Sequence, residues 1–220
     1  MIDAAPSSYP AWLERFVREA PRMQVPDGMR PAAGSRRAAV LILFGEGPHG
    51  PDVLLTERAA TLTKHAGQPA FPGGRIDPED DGPVAAALRE AQEEAGVVPS
   101  GVDVLATLPE LYLSHSDHRV TPVAGWWRAP SEVAPGHPGE VATVARVPIA
   151  ELTDPANRLT VRHPSGLRLG PAFRVGGMLV WGFTAGLLTA VLAAGGWDRP
   201  WDTGHVEDLP PDVLSLSARG

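Results

Sequence analysis

Three glutamates, Glu90, Glu93 and Glu94, crowd into "REAQEEAG" at 89–96. Like charges three or four residues apart destabilise a helix. At 3.6 residues per turn Glu90 and Glu94 face the same way and Glu93 lies beside both, within roughly a 100° arc. A bare E-x-x-E-E string is most often a solvated helix face. Here Ala87, Leu88, Ala91 and Ala95 occupy the other sides, where small apolar groups can seat a helix. Clustered carboxylates raise each other's pKa, and a divalent cation removes that cost. Hard oxygen ligands suit Mg²⁺ or Mn²⁺, which combine a few carboxylates with waters and substrate phosphates. Just upstream, Gly73 and Gly74 let backbone approach a ligand closely and feed a helix N-terminus, which favours anions. The pattern points to metal-bridged phosphate chemistry.

The elements that must hold these residues are legible in outline. The acid helix is expected over 83–95, with Asp80, Asp81 and Gly82 as acidic and capping groups, Pro83 in its first turn and Gly96 just past its end. Strands are expected over 37–44 and 53–57, joined by a longer turn at 45–52. Residues 58–72 read as an irregular stretch ending in "FPGG". Further strands are expected over 103–111, 119–129 and 140–149, then a short helix and turn at 150–158 and a hairpin at 159–170. Residues 10–20 place Trp12, Leu13, Phe16 and Val17 on one stripe of an amphipathic helix that ends at Pro21, and a connector follows. Strands mixed with a few helices, without regular alternation, indicate an α+β domain.

Composition narrows the function. The chain has 220 residues and a net charge of −7, enough for one domain with extensions and without clustered cations. That argues against nucleic acid polymers as ligands, which need such cations. No cysteine is present, which excludes disulfides and thiolate chemistry. The start carries no basic-then-apolar leader pattern, so a cytoplasmic protein is expected. The uncharged segment 175–197 has the length of a membrane span but is broken by glycines. A strand at 178–181 and a buried helix at 184–194 account for it, with no membrane partner. The H-x-x-H in "SHSDH" (114–118) lacks the remaining ligands of a zinc site and reads as a polar loop.

"REAQEEAGV" at 89–97 resembles the end of the Nudix box, with "GG" at 73–74 standing at its start after a one-residue expansion and Asp81 at the usual Glu position. That expansion is similar to the coenzyme A pyrophosphatase branch of the Nudix hydrolases. "LLTERAATLTKHAGQPAFPGG" (54–74) resembles the same branch's extra signature, with Ala59 for the usual Ser and Thr63 for the usual Arg. "VTPVAGW" (120–126), "GEVATVARVPIAEL" (139–152) and "LVWGFTAGLLTAVL" (179–192) resemble further family stretches.

The resemblance implies a Nudix-type α/β/α sandwich on a mixed β-sheet, with an extra N-terminal helix. It implies an N-terminal helix and connector at 1–35, the hydrolase domain at 36–196 and a loosely packed tail at 197–220. It implies Mg²⁺- or Mn²⁺-dependent cleavage of a small nucleoside diphosphate derivative, coenzyme A first. Another dinucleotide or nucleotide sugar, or an idle Nudix-like binding domain, are the alternatives. Carried over by position, Glu90 and Glu94 are metal ligands, Glu93 a ligand or base, and the Gly74 carbonyl completes the metal site. Arg89 holds the glutamates by charge pairing, and Glu140 is a candidate base or extra ligand. Arg58, His65, Gln68, Phe71 and Gly73 are candidates for substrate contact, although Phe71 also suits packing under the Gly-Gly loop. Oligomeric state is not legible.

Overall fold

The computed structural model describes residues 9–30, 34–60, 62, 67–113, 116–137, 139–211 and 213. A long hairpin starts the central sheet. β1 (Arg36–Gly47) runs antiparallel to β2 (Gly50–Arg58), and their pairing continues to Gly47 opposite Gly50. The turn is therefore shorter than the stretch 45–52 that turn chemistry suggests. Gly45 and Gly47 serve the strand instead: a Cβ at either would press on the buried Asp52–Arg146 pair.

β3 (Pro69–Ala70) and β8 (Val141–Pro148) pair antiparallel with β2. β4 (Gly73–Arg75) pairs antiparallel with the start of β1, and β7 (His118–Trp127) runs parallel to β1. The strand expected over 103–111 breaks into β5 (Val102–Thr107) and β6 (Leu111–Leu113), both antiparallel to β7. The sheet is mixed, as expected.

Side chains alternate across a strand, and β1 is apolar on both faces. Ala39, Leu41 and Leu43 pack with Ala86, Ala87, Ala91 and Ala95 of α2 (Gly82–Ala95). Ile42 and Phe44 pack on the opposite side. There they meet Phe16 of α1 (Glu14–Glu19) and a core that includes Leu152 of α3 (Ile149–Thr153) and Leu188 and Val191 of α4 (Gly182–Gly195). Helices thus cover both sheet faces, which is the α/β/α sandwich.

The predicted N-terminal helix is present but broken, with 3₁₀ turns at Ala11–Leu13 and Ala20–Arg22 flanking α1. Its apolar stripe is built into the core. Phe16 is fully buried, and Trp12 and Phe16 meet Phe44 and Trp197 ring to ring. The segment 175–197 is core as well, with Leu187, Leu188, Val191 and Leu192 buried. Among the described residues no helix is long and apolar enough to cross a membrane.

A second sheet has the order β11-β10-β9-β12, from β9 (Arg158–Arg162), β10 (Arg168–Val175), β11 (Met178–Val180) and β12 (Val206–Asp208). Its last strand corrects the expectation of a loosely packed tail. β12 runs parallel to β9, Leu209 is buried, and Asp198 pairs with the buried Arg158 at 3.0 Å. The Arg158 guanidinium lies against the Phe173 and Trp201 rings, 4.4 and 4.8 Å from their centroids. A polar, proline-interrupted composition conceals this docking because every partner is distant in sequence.

Candidate active site

The acid helix begins one residue earlier than expected and ends where expected. Gly96 has φ of +73°, its N–H donates to the Gln92 carbonyl at 3.0 Å, and the Val97 N–H donates to Ala91 at 3.3 Å. This left-handed cap favours glycine. The start differs: Asp81 makes no side-chain cap, and Asp80 turns to Arg89 instead. The loop after β7 wraps the far end. Ala134 and Gly136 N–H groups donate to the carbonyls of Ala95 and Glu94, and the Ser131 hydroxyl donates to that of Gly96. These bonds satisfy carbonyls that a helix end leaves free. A Cβ at Gly136 would overlap the Glu93 carbonyl, so the wrap requires glycine there.

Of the three helix glutamates, Glu94 is the most enclosed, at 7% exposure. It faces β4, where the Gly73 N–H donates to Oε2 at 3.1 Å, and the Arg58 guanidinium lies 3.8 Å from Oε1. Burial pushes its carboxyl up to about 7; Gly73 and Arg58 oppose the rise, while Glu90 and Glu140 add to it. Burial also raises Glu90 above the ordinary range, with Arg89 pulling it back. The Gly74 backbone packs directly on the Glu90 carboxylate, and a Cβ at that position would overlap it. The Glu93 side chain is 51% exposed.

Arg89 ties these groups together. Nε and Nη2 grip Asp80 at 3.0 and 2.9 Å, Nη1 reaches Glu90 at 3.0 Å and Glu93 at 3.3 Å, and Nη2 also donates to the Arg75 carbonyl at 3.1 Å. The expected pairing with the glutamates is present. The grip on Asp80 is an addition that sequence reasoning missed. It holds the Asp80 carboxyl well below its usual range.

The upstream segment folds onto the same place. Arg58, Gln68, Phe71 and Gly73 all line one cavity of about 410 Å³, together with Ser116, Trp181 and Phe183, which the sequence did not single out. Phe71 is also 3% exposed and part of the core, so it both packs in the core and walls the cavity. The Gln68 carbonyl accepts from the Arg58 N–H. Glu140 sits exposed in the turn before β8, and its carbonyl accepts from the Ala59 N–H at 2.8 Å. His65, Ser114 and His115 lie outside the described residues.

Among the described residues no three His, Asp or Glu side chains form a ready-made metal cage. Mg²⁺ seldom uses one: it takes one or two carboxylates and completes its shell with waters and phosphates. The donor set fits that habit. Glu90 and Glu94 share one helix face, the Gly74 backbone lies against Glu90 with no room for a Cβ, and burial leaves both carboxyls poorly compensated as anions.

Residues 34–168 match the NUDIX domain. The chain is 42% identical over 195 residues to an uncharacterized Nudix hydrolase, NudL, of Cronobacter sakazakii, covering 85% of this chain and 94% of that one. It is 39% identical over 189 residues to the NudL of Escherichia coli K12, covering 80% and 89%. A solved Nudix hydrolase of M. Smegmatis, RenU, is 26% identical with a TM-score of 0.45, covering 58% of this chain and 83% of that chain. With the domain match over residues 34–168 and the likeness to the two NudL hydrolases over 80–85% of this chain added to the acid helix and its Gly-Gly partner, the chain belongs to the Nudix hydrolase family and is a Nudix-type pyrophosphatase.

Proposed function

We propose that this protein cleaves the diphosphate bond of coenzyme A or its derivatives, with Mg²⁺ or Mn²⁺, giving 3',5'-ADP and 4'-phosphopantetheine or its acyl form. One observation supports this reading most. Arg58 and Gly73, which line the cavity and belong to the signature segment at 54–74, both contact Glu94 of the acid helix, at 3.8 and 3.1 Å, so the two motifs meet at the cavity wall. Glu90, Glu94 and the Gly74 backbone would hold the ion. When bound, the ion neutralises charge on the diphosphate and eases deprotonation of the attacking water.

The chain's own groups do the rest. Arg58 offers its guanidinium to a phosphate oxygen, for which its planar fork is suited. The exposed carboxylates of Glu93 and Glu140 are the candidate bases that take the water proton as its oxygen adds to phosphorus. The P–O bond to the second phosphate breaks, and that phosphate leaves with the electron pair. Arg89 positions the acids and does not touch the reacting atoms.

The test is a panel of coenzyme A, NADH, ADP-ribose and 8-oxo-dGTP with each metal, read by product mass. Coenzyme A is expected to be the preferred substrate. Preferred cleavage of NADH or ADP-ribose would move the enzyme to dinucleotides or nucleotide sugars. No turnover of any member would indicate an idle binding domain.

A further inference from the structure

A second cavity, of about 490 Å³, adjoins the first, and Leu113, Trp181, Gly182 and Phe183 line both. Its chemistry is different. The first carries Arg58 and is lined by Gly73, both of which contact Glu94. Among the described residues, the second has no charged side chain in its wall. Its floor is one face of α4, where Phe183, Gly186, Leu187 and Ala190 recur at helical spacing. Its cover is the connector, with Met23, Val25, Pro26 and Met29. Of its few polar side chains, Tyr112 has its hydroxyl engaged with Asp117 at 3.1 Å. A phosphate or a ribose would lose its hydration there without recompense. An aliphatic chain would gain about 0.8 kcal/mol for each methylene buried.

Both cover and floor lie outside residues 34–168, the part that matches the Nudix domain. The domain therefore supplies the candidate reaction centre and one wall of the chamber, with Leu108, Leu111 and Leu113, and the segments on either side of the domain supply its cover and floor. The geometry points to a specificity site: the chamber takes the aliphatic tail of an acylated substrate, a fatty acyl thioester of the coenzyme A type. The identity of that substrate rests on the function proposed above. The four residues that line both cavities set the route: the diphosphate would lie beside Arg58 and the arm would run past Phe183 into the chamber.

Gly186 provides the test. It lines the chamber, and a Cβ there would meet nothing within 4 Å. Leucine is a better helix former than glycine, so Gly186→Leu fills the space while favouring the fold. Chain-length series from coenzyme A through acetyl- and octanoyl-coenzyme A are measured for both proteins, and decanoate is titrated calorimetrically into each. The parent kcat/KM is expected to rise about tenfold or more from acetyl to octanoyl, given about fourfold per fully buried methylene. Gly186→Leu should lose that rise, keep parent activity on coenzyme A itself and no longer bind decanoate. A flat series in the parent, or a variant that loses coenzyme A and octanoyl-coenzyme A equally, overturns the chamber assignment. Decanoate binding that Gly186→Leu abolishes, in a protein that leaves every thioester uncleaved, would uphold the chamber and reject the proposed substrate.

Discussion

Glu94→Gln is expected to lower kcat on coenzyme A by about a thousandfold or more, by analogy with losing a principal charge-stabilising group. It should also make the metal-free protein more stable at pH 8. The two effects share one cause. Glu94 is buried against Gly73 and Arg58, and its carboxyl is pushed up to about 7 from the ordinary 4.5. A raised carboxyl favours the protonated folded state. The stability it contributes is complete below the unfolded value of 4.5, falls as pH rises towards 7 and is gone above it. By pH 8 the loss is about 3 kcal/mol. Glutamine keeps an acceptor for the Gly73 N–H and cannot ionise. Thermal melts from pH 4 to 8 should therefore fall less steeply for the variant. Mg²⁺ should raise the melting temperature of the parent more than that of the variant. Parent-like turnover, or superimposable pH–stability curves, would remove Glu94 from the role given to it.

Arg89→Met should have the next largest effect. Arg89 is the common cation of Asp80, Glu90 and Glu93, and Asp80 is enclosed, with a side chain 7% exposed. Methionine keeps much of the stem and removes every donor. Leaving a carboxylate buried and unpaired costs about 3–5 kcal/mol in fully buried networks. Arg89 is itself 29% exposed, so about 2 kcal/mol is the expected loss here, scaled down for solvent screening. Turnover should fall about a hundredfold as the helix acids lose their orientation, with a larger Mg²⁺ requirement. Arg89→Lys should recover little, because one ammonium cannot grip Asp80 with two donors and reach Glu90 at the same time. Urea unfolding with parallel kinetics decides the matter. Full rescue by lysine would mean that only charge, not the fork, is needed.

Much of the candidate site can be read from local pattern. The acid helix, its glycine cap and the Gly-Gly strand opposite depend on residues close together in the chain. The apolar runs of β1 and α4 likewise declare themselves through composition. What escapes is long-range pairing. Asp80 looks like a capping acid because its real partner, Arg89, is chosen by the turn at Asp77–Asp80 and not by helical spacing. Gly45 and Gly47 look like turn residues, yet they make room for Asp52 and Arg146. Gly136 looks like any loop glycine, and only the fold lays it on the Glu93 carbonyl. The segment beyond residue 197 looks unstructured because β12 pairs in parallel with a strand more than forty residues earlier. The apolar chamber is hidden for the same reason, since its cover and floor come from opposite ends of the chain.

Manganese binding tests the central claim most directly, since free Mn²⁺ has a strong paramagnetic resonance signal that is lost on coordination. Titrated into the parent protein, the signal should be quenched to saturation, more tightly when a non-hydrolysable diphosphate analogue is present. Glu90→Gln and Glu94→Gln should each weaken the quenching by tenfold or more, on the order expected for losing a ligand or its support. Quenching that is unchanged in both variants would contradict the account, because the cation would then sit somewhere other than the acid helix.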